Sequence, residues 1–183
     1  MSDSRPGMAP EARTAAGSIR GLPGLPDDAR LWIFGASRPL DEQAAASLIS
    51  STQRFLEEWA AHGRALAVAF EWLHNRFLLV AVDEDRAAAS GCSIDALLQY
   101  VKRLEQQLDV RLLDGGGVWL RAAAGIQCVG RREFRGMAER GEVDGKTIVF
   151  DLTVQHLGDV RAGRWELLAA SSWHARLLPS AGS

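Results

Sequence analysis

The chain has 183 residues, 47% of them hydrophobic and 24% charged, with a formal net charge of -2. That length supports one ordinary domain with its own core, and the near-neutral balance gives no reason to expect nucleic acid or an anionic membrane as a partner. Two cysteines, Cys92 and Cys128, are too few for a disulfide framework in a chain this size, so a cytoplasmic setting is expected. Residues 1–26 are rich in Pro, Gly, Ala and Ser without an apolar stretch, and read as a flexible tail rather than a secretory signal. No run approaches the roughly 18 apolar residues that a membrane span requires.

Residues 31–35 (LWIFG) read as a first strand. Pro39-Leu40-Asp41-Glu42 then opens a helix with Asp41 as N-cap, and Ala45, Leu48, Ile49, Phe55, Leu56 and Trp59 keep helical spacing until Gly63 stops it. Residues 65–73 and 76–82 flank His74-Asn75 as the arms of a hairpin. The second arm is apolar on both faces, which predicts a central strand. Ile94, Leu97, Leu98, Val101, Leu104 and Leu108 form one stripe of a second helix, with Ser93 or Cys92 as its N-cap. Strands are predicted at 110–113 and 118–122, split by Asp114-Gly115-Gly116-Gly117.

The order is thus β-α-β-β-α-β, which predicts an α+β fold: a ferredoxin-like antiparallel sheet with two covering helices. One domain is expected over 27–178, made of a 27–124 core and a C-terminal helical extension over 125–178, with a short tail at 179–183. Within the extension, 131–140 reads as a helix, 147–154 as a short extended start leading into a helix that ends at Gly163, and 171–178 as a terminal element anchored by Trp173. Of six tryptophans, Trp32, Trp72 and Trp119 fall on predicted strands. On the sheet face away from the helices they form either a binding platform or a second core layer, and the segment carrying Trp165 and Trp173 is the expected cover.

The stretch NRFLLVAVDEDRAAASGCSIDALL, residues 75–98, carries the strongest chemical signal. It brings an apolar strand into an acidic turn and sets Cys92 at a helix start, where the dipole favours a thiolate. His62 and His174 are the candidate bases, which would make Cys92 the nucleophile or redox thiol of a thiol-dependent enzyme. Asp83, Glu84, Asp85 and Asp95 oppose the thiolate. The alternative reading of Cys92 is a small residue packed between strand and helix. Asp83 and Glu84, with Ser90, Gly91, Ser93 and Asp95, form the expected ligand-binding turn. His74 and His156 read as surface residues. No CxxC or HxxxH spacing is present, so neither a metal nor another cofactor is expected.

LPDDARLWIF (25–34), FLEEWAAHG (55–63), NRFLLVAVDE (75–84), ASGCSID (89–95) and SWHARLL (172–178) together resemble a family of short bacterial proteins that often carry the label "ABC transporter ATPase". The resemblance covers most of the chain from about Leu22 to Leu178, and it implies relatives without an established activity. The label itself calls for a strand, then GxxxxGK[ST], then a helix. The nearest segment, Gly141-Glu142-Val143-Asp144-Gly145-Lys146-Thr147, is one residue short between its glycines and places two carboxylates where phosphate oxygens would sit. ATP hydrolysis is therefore not expected. The expected function is a small binding or interaction module for an unidentified small molecule or protein, with a homo-oligomer left open. The alternative is the Cys92 enzyme or redox protein.

Overall fold

Period-two apolar patterning in three segments produces the first sheet. The structure, a computed structural model, describes residues 22, 24–61, 64–85, 89–113 and 116–179. Most of the expected N-terminal tail, His62 and the Gly63 stop lie outside the described residues. In chain order the elements are β1 (Arg30–Gly35), α1 (Glu42–Glu58), β2 (Ala60–Ala61), β3 (Arg64–Ala65), β4 (Ala67–Leu73), β5 (Phe77–Asp83), α2 (Gly91–Leu108), β6 (Val118–Ala122) and β7 (Gly125–Val129). They continue through α3 (Arg131–Glu139), β8 (Ile148–Phe150), α4 (Leu157–Arg161) and β9 (Glu166–Leu168) to short 3-10 turns at Ala169–Ser171 and Trp173–Leu177.

The architecture is α+β with two antiparallel sheets, ordered β1-β5-β4 and β7-β6-β8-β9, and a two-residue pairing of β2 with β3. β5 is central, as its two apolar faces predict. Leu78, Val80 and Val82 point toward α1 and α2, whereas Phe77, Leu79 and Ala81 point toward the second sheet. His74 and Asn75 join β4 to β5 with φ of 53° and 54°, the type I′ geometry whose twist matches the strands.

A single four-stranded sheet does not form. Residues 110–113 are irregular because the Leu112 and Leu113 N–H groups both donate to Glu105 Oε1, at 2.6 and 2.9 Å. Donors engaged that way cannot enter a ladder. The edge of β1 is instead met by the C-terminal extension: Leu31 N–H donates to Gln155 O at 2.8 Å and Leu157 N–H to Ala29 O at 3.0 Å. β6 pairs with β7 and β8 in the second sheet.

The layers run from the α1–α2 pair through the first sheet and the second sheet to α3 with the terminal 3-10 turn. Each interface has its own apolar cluster. Trp32 and Trp72 belong to the helix side of the first sheet, not to its other face as expected. Trp119 and Trp165 sit between the sheets, and Trp173 packs beyond the second. No aromatic platform is left open there; the second sheet covers that face. Leu22, assigned to the tail by sequence, is 3% exposed in the inter-sheet cluster, and its carbonyl accepts from Arg161. Residues 148–150 are extended and a helix follows before Gly163, as expected.

Helix starts follow side-chain chemistry. Asp41 caps α1 by accepting from Ala44 N at 2.8 Å. At α2 the cap is Ser90, two or three residues earlier than expected, accepting from Ser93 N at 3.2 Å while Ser93 Oγ donates to Ser90 O at 2.8 Å. Ser90→Ala is expected to lower stability by about 1 kcal/mol, read as a shift in the urea midpoint. A shift near zero would mean that Ser93 alone sets the helix start.

Candidate functional site

The expected Cys92 site assembles only in part. Cys92 is exposed in the first turn of α2, so it is not a residue packed between strand and helix. His174 is fully buried beyond the second sheet, where Nδ1 lies 2.7 Å from Ser172 Oγ and the ring stacks on Trp173. Two sheets separate that layer from α2, so His174 is no base for Cys92. Burial lowers its pKa to about 4, because a charged imidazolium cannot be solvated there.

The polar groups of the expected ligand-binding turn are engaged with one another or with neighbours. Asp83 is 7% exposed and accepts from Asp85 N at 3.1 Å. Glu84 pairs with Arg30 at 3.4 Å. Ser90 and Ser93 are occupied by the helix cap, and the Ser93 carbonyl accepts from Trp59 Nε1 at 2.9 Å. Gly91 and Asp95 are exposed. Among the described residues no group of three or more His, Cys, Asp or Glu side chains could hold a metal. In 141–147, Asp144 Oδ1 accepts from Lys146 N at 2.8 Å, so a carboxylate fills the turn that resembled a phosphate loop.

His74 is not the surface residue expected. Its ring stacks on Trp165, and Nε2 lies 3.4 Å from Glu166 Oε2. Glu166 also pairs with Arg121, and together the two partners hold its carboxyl below the usual range against the effect of burial. The hairpin turn is thereby fastened to β9. His156 is exposed as expected, 3.9 Å from Asp159.

A different set of residues comes together where the end of β1 meets the second sheet. There a cavity of about 280 Å³ is lined by Gly35, Ser37 and Arg111 on one side, and by Gly116, Gly117, Trp119, Cys128, Val129 and Gly130 on the other. Two of its glycines are dictated by close approach. A Cβ on Gly35 would fall 2.3 Å from the Trp119 ring, and one on Gly117 would fall 2.3 Å from Cys128 Sγ. Ser37 N–H donates to Arg111 O at 2.8 Å, and Arg111 N–H donates back to Ser37 Oγ at 3.1 Å, holding the rim together.

Arg76 packs on one of the lining residues, Trp119, without lining the cavity itself. It stands between the type I′ turn and β5 and is only 5% exposed. Its guanidinium lies 5.1 Å from the Trp119 ring centroid and beside Cys128. Burial draws its pKa below the usual arginine range, and the charge interaction with Cys128 acts in the opposite sense. Arg76 Nε and Trp119 Nε1 are both buried donors without a hydrogen-bond partner. Such orphans are rare in native proteins, and each needs a physical explanation. Among the described residues no carboxylate lines the cavity or pairs with Arg76.

The sequence carried a faint signal for this site: a glycine run before β6, and Gly130 before a helix that has no side-chain cap. Nothing local said that they would meet. A second, more open cleft of about 460 Å³ lies near α4, and its Asp159 and Arg164 pair with each other. No family model, curated protein or solved structure matches the chain. No helix among the described residues is long and apolar enough to cross a membrane.

Proposed function

We propose that the protein is a small cytoplasmic binding module whose ligand occupies the cavity between Gly35, Trp119 and Cys128. The observation that carries this reading is Trp119 Nε1, a buried donor without a hydrogen-bond partner on a residue that lines the cavity. A buried donor left unpaired costs about 1–3 kcal/mol, and a ligand with an acceptor atom would offset that cost. The cavity lies at the small end of the range for ligand pockets, which favours a compact ligand.

Two further readings accompany this one. The first sheet with α1 and α2 is read as a ferredoxin-like βαββα unit whose last strand has passed to a second sheet. The resemblance to the bacterial family labelled ABC transporter ATPase is compatible with a binding role, and ATP hydrolysis forms no part of it. A thiol reaction at Cys92 has less support, since among the described residues no histidine stands beside its sulfur.

A thermal-shift screen of small polar metabolites tests the proposal. A ligand at 100 times its Kd adds about 2.7 kcal/mol to stability. Trp119→Phe is expected to weaken that ligand about threefold to tenfold by removing the Nε1 donor. A Trp119→Phe protein that unfolds more easily yet binds the same compounds equally well would show that Trp119 is structural.

A further inference from the structure

We propose that Cys128 is a redox site, a thiol that a small hydroperoxide entering the cavity oxidises to a sulfenic acid, with the Arg76 charge and the Trp119 N–H beside the sulfur. This rests on the cavity being the ligand site, and it adds the class of reactant. Of the two cysteines, Cys128 is half-buried and lines the cavity, whereas Cys92 is exposed on α2.

The surroundings of the Cys128 sulfur suit that chemistry. Cys128 lies directly opposite Trp119 in the β6–β7 ladder, so their side chains leave the same face of the sheet as neighbours. Trp119 is 2% exposed, and its Nε1–H is a buried donor with no acceptor. The oxygen that a sulfenic acid adds to the sulfur supplies an acceptor of the kind this donor lacks. Arg76, 5% exposed, packs on the same Trp119 ring, and its charge interacts with Cys128. A cation beside a sulfur favours the thiolate, which is the form that attacks a peroxide. Arg111 also lines the cavity, and among the described residues no carboxylate does. A Cβ on Gly117 would overlap the sulfur, so the thiol is closed on that side, and the small cavity suits a reactant of few atoms.

In the reaction the thiolate sulfur attacks one peroxide oxygen. An S–O bond forms as the O–O bond breaks, and the other oxygen leaves with the bonding pair and takes a proton from solvent to give water or an alcohol. The sulfur loses two electrons and the peroxide gains them. Cys92 stands on α2, across the first sheet, so the thiol is restored by external small thiols. One condenses with the sulfenic acid, releasing water and leaving a mixed disulfide, and a second displaces Cys128 from it.

Hydrogen peroxide is the probe, dimedone traps the sulfenic acid, and peptide mass spectrometry follows both cysteines. Accessibility alone puts the exposed Cys92 first; the expected result is the reverse, with Cys128 labelled about tenfold faster near neutral pH. Arg76→Met should remove most of that preference and Arg76→Lys should keep much of it, while Trp119→Phe should lower it about threefold. Near-ultraviolet circular dichroism reports whether each variant is folded. A preference unchanged in folded Arg76→Met and Trp119→Phe proteins overturns the roles given to both neighbours. Labelling of Cys128 no faster than that of Cys92 overturns the redox site. If a compound from the thermal-shift screen then shields Cys128 from iodoacetamide, the cavity stands as a ligand site; with no shielding by any compound, that reading falls as well.

Discussion

Phe77→Ala is expected to lower stability by about 3–5 kcal/mol. Phe77 is fully buried at the start of β5, and its ring lies 5.1 Å from Trp119, 4.8 Å from Phe150 and 5.3 Å from Trp165. Trp119 comes from β6 and Phe150 from β8, so one side chain of the first sheet fills the space between both. Its neighbours are rings on rigid strands and can collapse only partly into the void, which places the cost at the upper end for such changes. Phe77→Leu keeps most of the volume and should cost less than about 2 kcal/mol. Urea unfolding measures both, and near-ultraviolet circular dichroism reports the tryptophan environment. A Phe77→Ala protein destabilised by under about 1 kcal/mol would show that the sheets do not depend on this contact.

Acid should weaken the protein through His174. In the folded state its pKa falls from 6.5 to about 4, chiefly because burial opposes the charge; Arg131 acts in the same direction and Asp151 against it. The unfolded chain takes up a proton as pH drops below 6.5, whereas the folded chain does not until about 4. Stability from this residue is therefore complete above the unfolded value, falls between the two, and is lost below the folded one. The expected loss is about 3 kcal/mol. His174→Leu removes the titration, so the gap in stability between parent and variant should narrow by that amount from pH 7 to pH 4. A gap that stays constant over that window would mean that His174 titrates normally.

The site shows where local patterning stops being informative. Cys92 drew attention because a helix start is legible from Ser90, Ser93 and the stripe of Leu97, Val101, Leu104 and Leu108. Its distance from His174 is a property of layers that no local window contains. Arg76 and Cys128 are 52 residues apart in sequence, and they meet only because the sheets holding β5, which Arg76 precedes, and β7 pack face to face. Neither residue has unusual neighbours in the chain.

What the sequence determined unaided were the elements governed by near neighbours: Asp41 at the head of α1, the His74-Asn75 turn, the two-faced apolar strand at the sheet centre, and the amphipathic course of α2. Capping, turn chemistry and periodicity act over a few residues, and the residues themselves display them. Tertiary structure alone decided strand partnership, since each edge of β1 and β6 could be met by more than one segment. The Glu105 carboxylate removed 110–113 from that competition, the chain around Gln155 met β1, and β6 was left to build the second sheet. The cavity beside Arg76 exists because of that choice.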